Sequence, residues 1–292
     1  MTGGATASTA YLDRLGARSA ATNTVLCLGL DPDPAALPAG FSPDVAGVEA
    51  FAKLVLEAAA PVCAAVKPNL AFFEAFGSAG IAALERVRAA IPRDIPVVID
   101  AKRGDIGSTA ARQAVALYDG LGADAITVSP YLGEEAIRPL LERIDRFAYV
   151  LCRTSNPGAG ELQGLVVDAD TAEDAPAEPL YLRVARRAAR WGPGGTVGLV
   201  VGATAPVELA TVREVAPGLP FLVPGVGAQG GDEAAVRASG PATAVPGGGR
   251  PGGGLLVNVS RGIAGASTSG GDPGEAMRAA AHAWAARLPV LP

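Results

Sequence analysis

The residues best able to do chemistry lie in the run Asp100-Ala101-Lys102-Arg103-Gly104-Asp105-Ile106-Gly107-Ser108-Thr109. The preceding β-branched run, Ile95-Pro96-Val97-Val98-Ile99, predicts a core strand. Side chains alternate along a strand, so Asp100 and Lys102 share one face while Ala101 turns away. Gly104 permits a tight turn and Asp105 opens the next helix. Ionisable groups packed onto one strand-to-helix corner are costly unless they serve a purpose. An alternating acid–base cluster is one purpose. A structural ion pair with an Asp helix cap is the other.

Composition narrows the classes of function. The chain has 292 residues, 49% of them hydrophobic, enough to bury a large core in one or two domains. A net charge of -5, with Lys and Arg scattered evenly, argues against a nucleic-acid surface. No apolar run reaches the length of a membrane span, and Met1-Thr2-Gly3-Gly4 does not start a basic-then-apolar leader. A soluble, cytoplasmic protein without membrane or nucleic-acid partners is the expectation. Cys27, Cys63 and Cys152 sit inside apolar runs without metal-ligand spacing, which predicts buried reduced thiols. His282 is the only histidine, so a His-containing triad or a multi-histidine metal site is close to excluded. Acid–base chemistry must come from Asp, Glu, Lys, Tyr or Cys.

Along the chain, β-rich runs alternate with Ala-rich helical stretches. Strands are predicted near 24–30, 62–67, 96–101, 124–128, 147–152, 196–201, 220–223 and 255–259. Helices are predicted near 45–60, 78–90, 106–120, 134–143, 177–191, 206–215, 232–239 and 274–287. Eight β-then-α units in one chain of this length predict a single (β/α)8 barrel domain over 1–292. Residues 1–20 read as an extra helix before the first strand. Residues 153–176 make a long connection on the catalytic face. The Gly/Pro-rich stretch 240–254 precedes the eighth strand, on the opposite face, and reads as a flexible insertion without chemistry.

In such a barrel the site forms where strands end. Polar residues gather there: Asp31 and Asp33 after strand one, Lys67-Pro68-Asn69 after strand two, and Asp100, Lys102 and Asp105 after strand three. Strand four ends in Ser129-Pro130-Tyr131 and strand five in Arg153-Thr154-Ser155-Asn156. Strand seven runs into Pro224-Gly225-Val226-Gly227-Ala228-Gln229-Gly230-Gly231-Asp232, and strand eight into Asn258-Val259-Ser260-Arg261-Gly262. The glycine-rich loop leads to a helix start where backbone N–H groups can approach an anion, and Arg261 can make bidentate contacts to phosphate. A phosphate-bearing ligand is expected. Lys67 either snorkels outward or joins Asp31 and Asp100 across the mouth. Asp31, before Pro32, can equally be a turn residue.

These blocks, above all Asp100-Ala-Lys102-Arg-Gly-Asp105-Ile-Gly-Ser-Thr109, resemble the orotidine 5′-phosphate decarboxylase family in its longer bacterial branch, type 2. The likeness spans residues about 24 to 262, with the 240–254 insertion as the main departure. It implies conversion of orotidine 5′-phosphate to UMP and CO2 in pyrimidine synthesis, with no cofactor and no metal. By motif it implies Lys102 as proton donor, Asp100 beside the departing carboxylate, and Lys67 binding Asp100 and the ribose. It further implies a homodimer with shared sites, in which Asp105 and Thr109 reach into the partner's site. Asp31 would bind ribose, Ser155 the pyrimidine edge, and Gln229 with Arg261 the phosphate.

Two other readings stay open. A metal-dependent sugar-phosphate aldolase or decarboxylase on the same barrel shares the Asp-x-Lys-x-x-Asp core. It needs a further carboxylate near the first or second strand, where this chain has Lys67. A non-catalytic nucleotide-binding barrel is the second, though a pure binder has no use for the Lys67, Asp100, Lys102, Asp105 set.

Overall fold

A computed structural model describes residues 10–172, 175–227 and 229–291. Eight parallel strands form one sheet: β1 Leu26–Leu30, β2 Ala65–Pro68, β3 Val98–Arg103, β4 Ala125–Val128, β5 Phe147–Arg153, β6 Val197–Val201, β7 Phe221–Pro224 and β8 Leu256–Val259. β1 pairs with both β2 and β8, and bridges at Val66–Val97 and Asn69–Asp100 join β2 to β3. The sheet thereby closes on itself as a (β/α)8 barrel, as expected.

Helices cover the outside: α1 Tyr11–Thr22, α2 Val45–Ala59, α3 Gly77–Ala90, α4 Gly107–Ala114, α5 Glu134–Leu141, α6 Leu180–Ala188, α7 Pro206–Val215, α8 Glu233–Ser239 and α9 Pro273–Arg287. Several starts carry the local chemistry that sets them. Asp44, Asp232 and Asp272 cap α2, α8 and α9 through hydrogen bonds to the Gly47, Ala235 and Glu275 amides. Proline opens α7 and α9, where its missing N–H costs nothing. The helix expected over 106–120 is α-helical only to Ala114 and continues as π-helix over Val115–Gly120.

Strand alternation divides the core in two. Cys27, Ala65, Val98, Ala125, Phe147, Tyr149, Val200, Leu222 and Leu256 fill the barrel interior, while their neighbours in sequence face the helices. α1 closes the bottom of that interior with Tyr11, Leu12 and Leu15. The Tyr11 ring stacks on Phe147 at 4.9 Å, and its hydroxyl meets that of Tyr149 at 3.1 Å. Residues 1–9 of the expected N-terminal helix lie outside the described residues.

The 240–254 segment lies on the bottom face as expected, but the structure does not leave it loose. Gly252, Gly253 and Gly254 are buried, Arg250 pairs with Asp13 of α1, and the Ala242 and Gly253 backbones bond each other. Positive φ at all three glycines lets the chain turn under the barrel where a side chain would be strained. Low-complexity composition hid this, because the packing partners come from α1 and from Arg213 of α7. The buried Arg213 guanidinium gathers the carbonyls of Ala216, Leu219, Ser239 and Gly240 and lies 3.6 Å from the Phe221 ring centre.

Candidate active site

The inner rows of the barrel are apolar at the bottom and turn polar toward the C-terminal mouth. Two residues above Cys27 comes Gly29 and then Asp31; above Ala65 comes Lys67, above Val98 Asp100, above Ala125 Thr127, and above Leu256 Asn258. Gly29 is needed for close approach, since a Cβ there would meet Ser260 Cβ at 2.7 Å and Asn258 Oδ1 at 2.9 Å.

Asp100 is the hub. Its Oδ2 accepts from Lys67 Nζ at 2.9 Å, and its Oδ1 accepts from Lys102 Nζ at 2.8 Å and from the Thr127 hydroxyl at 2.7 Å. Burial works to raise the Asp100 pKa, but the Lys67 and Lys102 charges outweigh it and hold the carboxyl well below the usual carboxylate range. Burial works to lower the Lys67 pKa, yet Asp100 and Asp31 outweigh it and keep that ammonium firmly protonated. The Lys67 side chain is 5% exposed and that of Lys102 52%, so Lys67 is a fixed buried cation and Lys102 a half-exposed one tethered to Asp100, not itself part of the cavity lining. Lys102 also has φ +47°, in the left-handed region, where the β3–β4 register shifts between Ile99 and Arg103.

Lys67 and Asp100 open onto a cavity of about 190 Å³ at the mouth, lined also by Asp31, Asn69, Gly225, Gln229, Asn258, Ser260 and Arg261. Arg261 is exposed and has no ion pair or hydrogen-bond partner among the described residues. Asp31 Oδ1 and Asn258 Oδ1 are buried with no partner among the described residues, so the cavity holds unmet hydrogen-bonding capacity. Ser155 adjoins the glycine-rich loop, its Cβ 3.3 Å from where a Cβ on Gly225 would sit. The helix start after that loop is less free than expected, because Asp232 takes the Ala235 amide. An anion there would meet loop amides and Arg261.

Asp105 and Thr109 stand apart from this cavity. Asp105 Oδ1 accepts from the Ile106 amide at 2.7 Å and does not cap α4, whose start has no side-chain cap. Thr109 is exposed and lines a separate groove with Leu70, Glu74 and Arg103. Thr127 went unread in the sequence, while Asn69, Asn258 and Ser260 were noted at strand ends without a role; all but Thr127 line the cavity. The signal for Thr127 and Asn258 was a polar residue two places after an inward apolar one, Ala125 and Leu256. Asp124, although buried and ringed by Arg14, Arg88 and Arg146, immediately precedes β4 at the opposite end and belongs to the barrel floor. The three cysteines are buried free thiols, and His282 is exposed on α9.

The sequence model of the orotidine 5′-phosphate decarboxylase/HUMPS family matches residues 24–280. The chain belongs to that family. A curated relative in Herpetosiphon aurantiacus, an orotidine 5′-phosphate decarboxylase, is 49% identical over 223 residues, covering 76% of this chain and 81% of its own. The structure of Leishmania donovani OMP decarboxylase superposes with a TM-score of 0.78 at 41% identity, covering 95% of this chain and 96% of that one. The UMP synthase of the same organism matches at 0.79 and 43% identity, and this chain spans 55% of that longer protein. The decarboxylase family thus accounts for the whole length over which the barrel strands, from Leu26 to Val259, were assigned.

Proposed function

We propose that this protein decarboxylates orotidine 5′-phosphate to UMP and CO2, with Lys102 as the proton donor. The observation that carries the reading is Asp100 held between a buried Lys67 and a half-exposed Lys102, beside a cavity whose rim carries Arg261, unpaired among the described residues. Breaking the bond from ring carbon six to the carboxylate leaves the electron pair on that carbon, in the ring plane, where the π system cannot readily take it. The site must therefore favour charge on that carbon over charge on the carboxylate. The Lys102 ammonium does so and then gives up its proton to the same carbon. At ~4 Å and an effective dielectric of about 20, one such charge contact is worth about 4 kcal/mol. Asp100, which stays ionised, keeps the ammonium in place and faces the departing carboxylate. Phosphate held by Arg261 and Gln229 supplies remote binding energy, Asp31 takes a ribose hydroxyl, and Ser155 takes the base.

We read the chain as one barrel domain working in the cytoplasm as a homodimer with shared sites. Asp105 and Thr109 do not line the cavity of their own barrel, and Ile106 between them is 67% exposed, as expected of residues that a second copy covers. Among the described residues no helix is long and apolar enough to cross a membrane. The sugar-phosphate aldolase reading is disfavoured by Lys67, which sits at the end of β2 and occupies one Asp100 oxygen. The test is the ultraviolet change of orotidine 5′-phosphate on mixing with the protein, with and without a chelator. Turnover unaffected by the chelator is expected. No turnover sinks the enzyme reading, and turnover lost with the chelator restores the metal-dependent one.

A further inference from the structure

Thr127 on β4 faces the barrel interior and is 2% exposed. Its hydroxyl donates to Asp100 Oδ1 at 2.7 Å and accepts the amides of Ala101 at 3.0 Å and Lys102 at 2.9 Å. A hydroxyl has one proton and two lone pairs, so its whole capacity goes to one carboxylate and the two residues that follow it. Those two amides lie within the shifted stretch of the β3–β4 ladder, where Lys102 adopts φ +47°. Asp100 Oδ1 is also the oxygen that Lys102 Nζ meets, whereas Lys67 takes Oδ2. One hydroxyl therefore fixes both ends of the Asp100–Lys102 pair: the carboxylate that holds the ammonium and the strained backbone that carries it. Thr127 does not line the cavity.

We propose that Thr127 is a positioning residue for proton delivery, setting the Asp100 carboxylate and the Lys102 backbone so that the ammonium is aimed at the reacting carbon. It acts without touching substrate. This inference rests on the reading of Lys102 as proton donor.

The Thr127→Val variant keeps the volume and removes the hydroxyl. Its kcat on orotidine 5′-phosphate should fall on the order of 10- to 100-fold, the worth of a hydrogen bond to a charged group. The Kd for UMP should stay within about threefold, since the cavity lining is untouched. Thr127→Ser should recover most of kcat. A Thr127→Val enzyme with wild-type kcat overturns the proposal, as does a loss of UMP affinity that parallels the loss of kcat. If the Val variant does not fold, Thr127→Ala replaces it, and wild-type kcat there overturns the proposal equally. Lys102→Ala run alongside separates the two levels. If it keeps its rate, the reading of the site fails. If it is inactive while Thr127→Val is unimpaired, only the inference about Thr127 fails.

Discussion

Lys102 occupies a backbone conformation that costs a non-glycine residue about 1–2 kcal/mol. Strain of that kind persists where the surroundings over-determine it, and here hydrogen bonds from the Ala101 and Lys102 amides to the Thr127 hydroxyl and an ion pair to Asp100 do so. Arg261 is the opposite case, an exposed guanidinium with no protein partner among the described residues. Its removal should leave the fold unchanged and fall on the phosphate. Arg261→Ala is expected to weaken UMP by about 2–3 kcal/mol, on the order of 30- to 150-fold, and uridine hardly at all. Calorimetric titration of both ligands checks this, and equal losses for the two would remove Arg261 from the phosphate site.

At the scale of elements, α1 and the 240–254 segment build a floor that the eight β-then-α units lack. α1 pushes Tyr11 up into the interior against Phe147 and Tyr149, and the glycines of the insertion fold beneath it, with Gly16 of α1 against Arg250. Tyr11→Ala would open a cavity and strand the Tyr149 hydroxyl. The cost is expected to be about 3–5 kcal/mol, lowering Tm by on the order of 10 °C. The kcat of the folded protein should not change, because the plug and the mouth lie at opposite ends of the strands. A thermal melt paired with a rate measurement decides it; a rate loss without a melting shift would mean that the floor and the mouth are coupled.

At the scale of the whole molecule, Asp105 and Thr109 do not line the cavity of their own barrel and Ile106 between them is exposed; on the shared-site proposal the chemistry is complete only in a dimer. Lys102→Ala and Asp105→Ala proteins should each be nearly inactive alone. In a mixed dimer one site carries both defects and the other carries neither. Random equal mixing makes roughly half of the dimers mixed, each with one intact site of two, so activity should return to roughly a quarter of wild type. Complete subunit exchange, followed by native mass spectrometry, with no return of activity would disprove the shared site.

The barrel was legible in the chain because its period-two and period-3.6 patterns are local and each strand is bounded by turn residues. The eight predicted strands overlap the observed ones, from Leu26–Leu30 to Leu256–Val259. The polar strand ends were legible for the same reason: Lys67, Asp100 and Lys102 interrupt apolar runs where a core strand should continue. What sequence could not show was pairing across strands. Thr127 reads as one more β-branched strand residue until β4 is set beside the shifted stretch of β3, and Asn258 reads as a strand end until Gly29 of β1 leaves room for it. The floor was hidden in the same way, since the glycines of 240–254 are flexible by composition, and the segment is held through Arg250 on Asp13, Gly240 on Arg213 and backbone bonds to Pro217 and Gly218. Local composition set the elements and the charges at their ends. Only closure of the barrel, which brings residues from different strands within hydrogen-bond distance, decided which of those charges hold one another and which are left to bind a ligand.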